Sequence, residues 1–546
     1  MERKTNISIH YINVKNKKRM KRFTLLNMAM AAAITASAQW NTNSNPVLLS
    51  GDGQGTHSPK VALTNDGKMY IAWRTSGKVG NALCYAFPHL QLLDKDGKAM
   101  FGKDGLAVST HVSPSWTSDY SLVATSDGCA IVSTADSRSE ESDSLDRYNT
   151  FTPVWYKINQ EQDYEWGLDG LALTDRISSP LTNTYVVGDD VWIQDNTSSY
   201  TDVNYFNRVS ADGTLGFSES QSIFGQIIQS NGSDFIAVNS GSDGPEAMRY
   251  TRDCNKVWSE PVTFASSNYG GHSLHPYSLN SDGKGGFYAT WVRNMGSFTH
   301  MICTQHVDAD GDPTFGLDAM DVYSTEELDH NYATQAVDTK NNKAFVIWAI
   351  QVGGGRYDLR AQLFNQEGDR LFGDEGKVIV TKDGDSAGWA FNNYGLLPVG
   401  DGEWLACYAD VRGWQKEYLY VERLDKDGNS VWKKQIGEYG RFDEVSFLKG
   451  DGCSYVVFLT ENEDGYDILK GARIFDDGSF EEGSDGIKTL DEDATKTSLA
   501  TIYSIDGKLV KTVKSENLDN ISLNHGMYIV TMKDANGKIK SIKLSK

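Results

Sequence analysis

The chain has 546 residues and a formal charge of −21, a balance that excludes nucleic acid as a partner, because phosphate binding needs clustered Lys and Arg. Aromatic residues make up 11%, with 52 Gly and only 11 Pro, which excludes a disordered chain and favours many strands joined by tight turns. The length allows a large core and more than one domain.

The first 38 residues read as a secretory signal peptide. "KNKKRMKRF" (15–23) is basic, "TLLNMAMAAAITASA" (24–38) is apolar, and Ala36-Ser37-Ala38 forms a small-x-small cleavage site before Gln39. The apolar stretch is too short for a membrane span, and Met20 would start a leader of more ordinary length. No later segment is apolar enough to cross a bilayer, so the expected mature chain is exported, either secreted or on the outer cell surface. Cys84, Cys129, Cys254, Cys303, Cys407 and Cys453 are scattered, without zinc-type spacing, and read as buried free thiols.

From 41 to 487 the chain repeats itself. An acidic Gly turn followed by an aromatic recurs as "DKDGKAMFG" (94–102), "DADGDPTFG" (308–316), "NQEGDRLFG" (365–373) and "DKDGNSVWK" (425–433). Aligning these turns finds Phe101, Trp166, Phe217, Trp258, Phe315, Phe372, Trp432 and Phe480, at a period of roughly 55 residues, close to that of propeller blades. Before each turn stand two strands joined by a hairpin, as in "SPKVALTNDGKMYIAW" (58–73), "HPYSLNSDGKGGFYATW" (275–291) and "YATQAVDTKNNKAFVIW" (332–348). A third strand ("RAQLFNQEG", 360–368) and a short fourth ("KVIVTK", 377–382) complete each unit.

Four antiparallel strands per unit, repeated round a ring, make an all-β fold: a β-propeller of seven or eight blades. The Gly turn then joins third and fourth strands, with its aromatic packed between neighbouring blades. "NPVLLSGDGQGTHSP" (45–59) parallels a fourth strand and the loop after it, so Pro46–Ser50 is expected to complete the last blade. The units at 113–176 and 225–267 are irregular. Asp308, Asp310 and Asp312 offer oxygen ligands of the kind calcium takes, without the distal Glu of a full liganding loop. No other cofactor signal is present.

The pattern W…R…Y/AQ-L-D-x-x-G-x-x-x-[FW]-G-x-x-G resembles a repeat common in exported bacterial proteins of largely unassigned activity. The blades are also faintly similar to quinoprotein propellers, whose repeats carry Gly followed by a docking Trp; most units here have Phe instead.

Composition shifts after 487. The stretch 488–497 is polar and linker-like, and 498–546 reads as short strands with DG and NG turns, a small Ig-like β-sandwich rich in Lys. "IYSIDGKLV" (502–510), "GMYIV" (526–530) and "KIKSIKLSK" (538–546) resemble the C-terminal sorting domain of the type IX secretion system of Bacteroidetes. That resemblance implies the secretion machinery as partner. Gly526 and Tyr528 would be its G-x-Y motif, and Lys540 and Lys543 its basic terminal strand.

No G-x-S-x-G, H-E-x-x-H, P-loop or dinucleotide fingerprint occurs, and carboxylates are too numerous for sequence to single out a glycosidase pair. Blade geometry narrows the search, since loops before first strands and after second strands emerge on one face. The former supply His57, Trp116, His275, His330 and Trp389; the latter supply Arg74, Asp136, Arg138, Arg293, Asp410 and Arg412. Aromatic, cationic and carboxylate groups near a channel mouth suit a polar glycan or protein ligand. A carbohydrate-active hydrolase or lyase using an acid–base pair on that face is the alternative, and a quinone-dependent dehydrogenase a third. No catalytic residue and no metal site is assigned from sequence.

Overall fold

A computed structural model describes most of residues 40–480 and 499–545. Outside the described residues lie 1–39, 481–498 and stretches between strands, including 50–55, 78–84, 115–119, 139–150, 174–181, 197–202, 267–275, 324–329, 384–390, 412–416, 515–522 and 534–538. The leader, the 488–497 linker and Cys84 therefore fall outside them. Every regular element described is a β-strand, and no helix long and apolar enough to cross a membrane occurs among these residues.

One sheet shows why the repeat folds as it does. His330–Asp338 and Lys343–Gln351 pair antiparallel, and Arg356–Phe364 and Lys377–Asp383 follow in sequential order. The second strand, "KAFVIWAIQ", is apolar without a break because its two faces enter two cores. Ala344, Val346, Trp348 and Ile350 join the cluster shared with the preceding sheet, while Phe345, Ile347 and Ala349 join that of the following sheet. A strand's period of two makes both assignments at once.

Eight sheets of this kind form among the described residues. Numbered in chain order, sheets 1 to 7 span 56–107, 122–172, 182–224, 226–263, 276–321, 330–383 and 391–435. Sheet 8 spans 443–475 and takes its outermost strand from the N-terminus, Val47–Leu48 pairing with Asp467–Phe475. The first strands of sheets 1 to 3 and of sheets 4 to 8 lie side by side in turn, and that of sheet 8 meets that of sheet 1. Sheets 3 and 4 join through Trp192 and Phe235, their ring centroids 4.9 Å apart. The result is a closed β-propeller, and the expected completion of the last blade by the N-terminal strand is observed.

The acidic turns lie on the face opposite the loops and lock each seam. An added Cβ at Gly213, Gly311, Gly368, Gly428 or Gly478 would meet Trp166, Trp258, Phe315, Phe372 or Trp432 of the preceding sheet, so each aromatic lies flat on its neighbour's turn. The tryptophans also donate through Nε1: Trp166 to Ala211 C=O at 3.0 Å, Trp258 to Ala309 C=O at 2.9 Å and Trp432 to Asp476 C=O at 3.0 Å. Positive φ explains the glycine, as at Gly368 (φ 87); Gln162 (φ 70) and Cys254 (φ 59) hold the same conformation in the irregular sheets 2 and 4.

A buried glutamine fastens three of these turns, in sheets 1, 5 and 6. In sheet 5, Gln305 Oε1 accepts the Phe315 N–H at 3.0 Å, and its Nε2 donates to Gly316 C=O at 2.7 Å and Phe264 C=O at 2.9 Å. Gln91 and Gln362 make the equivalent bonds, and Asn207 does so in sheet 3. The first residue of a turn serves the backbone too: Asp308 Oδ1 accepts the N–H groups of Asp310 and Asp312, and Asn365 Oδ1 those of Glu367 and Asp369. Cys129, Cys303, Cys407 and Cys453 are buried free thiols, and Cys254 is half-buried.

The described C-terminal strands, Leu499–Ser504, Leu509–Lys514, Met527–Lys533 and Ile539–Ser545, form one four-stranded sheet. Ala500, Ile502 and Val530 are its buried core, with Tyr528 packed against them. Lys540 and Lys543 stand in register with Met532 and Ile529. Gly526 lies outside the described residues.

Candidate functional site

Antiparallel pairing puts the start of each first strand beside the end of each second, so His57 lies opposite Arg74, His330 opposite Ile350 and Asp410 opposite Phe391. These positions share the loop face of the ring. Trp116, His275, Trp389 and Arg412 are outside the described residues.

Several polar residues singled out above are tied into braces on this face. Arg138 forks onto Asp136, Nε to Oδ1 at 2.8 Å and Nη2 to Oδ2 at 2.9 Å. Its Nη2 also donates to the Tyr156 hydroxyl, which reaches Ser109. Arg293 Nη2 lies 3.2 Å from Asp321 Oδ2. Arg74 is buried beneath the Tyr120 ring, its guanidinium carbon 4.5 Å from the centroid, and the Tyr120 hydroxyl donates to Ser58 C=O. Asp410 is buried at the end of its strand. The bidentate Arg138–Asp136 pair holds its loop ends in place, two parallel hydrogen bonds fixing the guanidinium against the carboxylate.

The richest titratable group on the face lies where sheets 7, 8 and 1 meet. His57, from sheet 1, is half-buried; burial, helped by nearby Arg74, holds its imidazole below the ordinary value, and Asp467 of sheet 8 pulls the other way. Arg441 is ion-paired to Asp443, with Asp467 3.6 Å away. Burial pushes the Glu417 carboxyl above the usual glutamate range, and Asp443 adds to this. The Tyr394 hydroxyl opposes it, lying 3.0 Å from Glu417 Oε2 and 3.2 Å from Phe442 C=O. Glu417 and Gly440 exchange both backbone hydrogen bonds, which pins the 436–442 connection over this sector. The arrangement offers a neutral imidazole, a carboxyl biased toward its protonated form and a positioned guanidinium within one loop cluster.

Of the residues expected from sequence, the structure brings His57 and Arg74 into this sector. Tyr394, Glu417, Arg441, Asp443 and Asp467 were not anticipated. The signal for Arg441 and Asp443 stands in "GEYGRFDE" (437–444), a charged, Tyr-bearing stretch with two glycines that leads into a first strand; Tyr394, Glu417 and Asp467 lie outside it. Among the described residues no three His, Cys, Asp or Glu side chains gather as a metal site.

No protein-family model matches the chain, and no curated protein matches it either. Among solved structures it is similar to a protein of unknown function from Dyadobacter fermentans, at 11% identity and a TM-score of 0.36, covering 80% of this chain and 98% of that one. It is likewise similar to the β-propeller domain of the Trilobed protease from Pyrococcus furiosus, at 10% identity and a TM-score of 0.35, covering 71% and 99%. A third, the polysaccharide lyase Uly1, shares 11% identity at a TM-score of 0.35, covering 82% and 95%. Likeness at this level brings no residue, substrate or activity to this chain.

Proposed function

We propose that the protein is an exported, surface-delivered propeller that binds a glycan or protein ligand on its loop face. The observation that carries this is the cluster of His57, Tyr394, Glu417, Arg441, Asp443 and Asp467 where sheets 7, 8 and 1 meet. Polar groups of both signs converge there on loops held by a rigid ring, which is how binding residues are commonly presented. The test is a glycan and protein array probed with wild type and with the His57→Ala, Asp467→Asn variant. Loss of the wild-type ligand from the variant supports the assignment, and equal binding by both moves the site elsewhere.

One observation favours a second reading, a carbohydrate-active hydrolase or lyase on the same ring. A carboxyl held above its ordinary range, as Glu417 is, is biased toward the protonated form that a general acid needs. Incubation with plant and algal polysaccharides distinguishes the two readings: new reducing or unsaturated ends that disappear with Glu417→Gln favour the enzyme.

Delivery rests on sequence: the leader (1–38) for the inner membrane and the Lys-rich tail, similar to a type IX sorting domain, for the step beyond. In the native host, a chain lacking 495–546 is expected to remain in the periplasm. Unchanged surface levels would remove the sorting role.

A further inference from the structure

Beside this cluster a groove of about 610 Å³ runs between the 437–442 connection, Asn45 and Pro46, and the second and third strands of sheet 8. We propose that it is a subsite for a neutral oligosaccharide. This rests on the ligand-binding reading above and narrows it to one chemical class and one place.

The lining selects among ligands by what is already committed. Its main chain is largely spent. Gly437 N–H donates to Ser44 C=O, Gly440 exchanges both bonds with Glu417, and Lys470 is in strand register with Leu48. A peptide binding as an added strand needs a free sheet edge, and at Gly471 and Lys470 the edge of Asp467–Phe475 is already taken by the two-residue N-terminal strand. Recognition therefore falls to side chains.

Against an apolar floor of Pro46, Phe442 and Phe458, the wall offers the exposed ring of Tyr439, two carboxylates (Glu438, Glu461), two cations (Arg441, Lys470) and the neutral polar Thr460 and Asn45. The charges balance, and Arg441 is already engaged by Asp443. An acidic ligand would meet both glutamates with only Lys470 as an uncommitted-sign counterpart, so the field disfavours uronates and sulfated sugars. Neutral hydroxyls, by contrast, donate to carboxylates and accept from ammonium and hydroxyl groups alike. Tyr439 supplies the platform. It is 55% exposed although large and aromatic, and it leans against Tyr418 with ring centroids 6.1 Å apart, which limits its motion. An exposed but braced ring beside planar polar groups presents an apolar face to the C–H side of a pyranose while its neighbours take the hydroxyls.

The experiment uses the full chain on an array of neutral gluco-, xylo- and manno-oligosaccharides, uronate and sulfated oligosaccharides, and a random peptide library. Calorimetry then follows on the tightest neutral binder. Tyr439→Ala is expected to weaken that binding about tenfold, the loss of one stacking ring, while Tyr439→Phe retains it and Glu461→Gln weakens it less. Tyr439 is exposed, so its removal does not threaten the fold, and an unchanged unfolding transition checks this. A neutral ligand bound equally by wild type and Tyr439→Ala overturns the groove while leaving the ligand-binding reading intact. Binding that is confined to acidic sugars or peptides and is lost with Tyr439→Ala overturns the ligand class. Failure of wild type to bind any sugar overturns the subsite and the glycan-binding reading together.

Discussion

Two seams of the ring do the same job with differently sourced parts. Between sheets 5 and 6, Phe315 comes from the turn of its own sheet, lies on Gly368 of the next, and is fastened by Gln305 a few residues upstream. Between sheets 8 and 1 the corresponding place is taken by Trp40. Its ring lies where a Cβ on Gly97 would stand, its backbone N–H donates to Asp96 C=O at 2.9 Å, and it packs on Tyr455 with centroids 5.0 Å apart. Asn41 Oδ1 accepts the Arg473 N–H beside it. The slot thus demands an aromatic on a positive-φ turn, and is indifferent to where in the chain the aromatic comes from. A local donor, however, arrives with its own turn, whereas Trp40 meets Tyr455 only when the two ends of the ring are brought together, at the entropic cost of closing a long loop.

The largest effect should therefore come from emptying the closing seam. Trp40→Ala removes a buried indole and should cost about 3–5 kcal/mol, as should Phe315→Ala in the regular seam. The two should differ in consequence. Without Trp40 the short Val47–Leu48 pairing loses its anchor, and the edge of Asp467–Phe475 is left for another chain. Denaturant unfolding measures the shared cost, and sedimentation should find association only for Trp40→Ala. Association by Phe315→Ala as well would end the distinction drawn between the seams.

Next comes the glutamine. Gln305→Leu keeps volume but strands the Phe315 N–H and the carbonyls of Gly316 and Phe264, and should cost about 2–3 kcal/mol. Sheet 4 has Met248 at the corresponding place, buried and without an amide to offer. Met248→Leu should therefore cost less than Gln305→Leu in the same denaturant titration, and an equal loss would show that the fastening is not specific to the amide.

The repeat was legible because each of its residues answers a backbone demand that recurs: glycine for positive φ, Asp or Asn to cap its own turn, an aromatic for the neighbouring seam. Closure was legible for the same reason, since "NPVLLS" reads as a fourth strand without its first three. Trp40 was not, because no turn precedes it to mark it as one of the series. The site was less legible still. Asp136, Arg138 and Arg293 have the composition of a binding loop, yet in space they meet intrasheet partners. Glu417 and Asp467 begin third strands, positions that no reading of first- and second-strand loops visits. Which loops converge depends on the sheets being closed into a ring, and that is a property of distance, not of local pattern.

A smaller effect probes the site sector against the turn face. Glu417 is raised by burial, so as pH rises the unfolded chain gives up this proton before the folded chain does. Its contribution to stability is present below the ordinary glutamate value and is lost as pH rises through the elevated folded value. Glu417→Gln keeps an acceptor for the Tyr394 hydroxyl and carries no charge. The variant should be more stable than wild type at neutral pH and no more stable in acid, read from unfolding transitions across that range. A constant difference at every pH would show that Glu417 titrates as an exposed carboxyl does.

The smallest effect tests the turn itself. Gln162 holds φ 70 where Gly368 holds 87 and Gly213 holds 87, and its side chain is exposed, so the residue bears left-handed strain with no packing to offset it. That strain is about 1 kcal/mol for an L-residue. Glycine removes it but enters folding from a more disordered unfolded chain, which returns part of the gain. Gln162→Gly should accordingly stabilise the protein by about 0.5 kcal/mol, a shift in Tm of a degree or so at this size. The hydrogen bond from the Gln162 N–H to Asn159 C=O is a backbone bond and survives the change. A loss of stability would mean that the irregular turn of sheet 2 has been shaped round its glutamine, and is not a regular turn tolerating a poor residue.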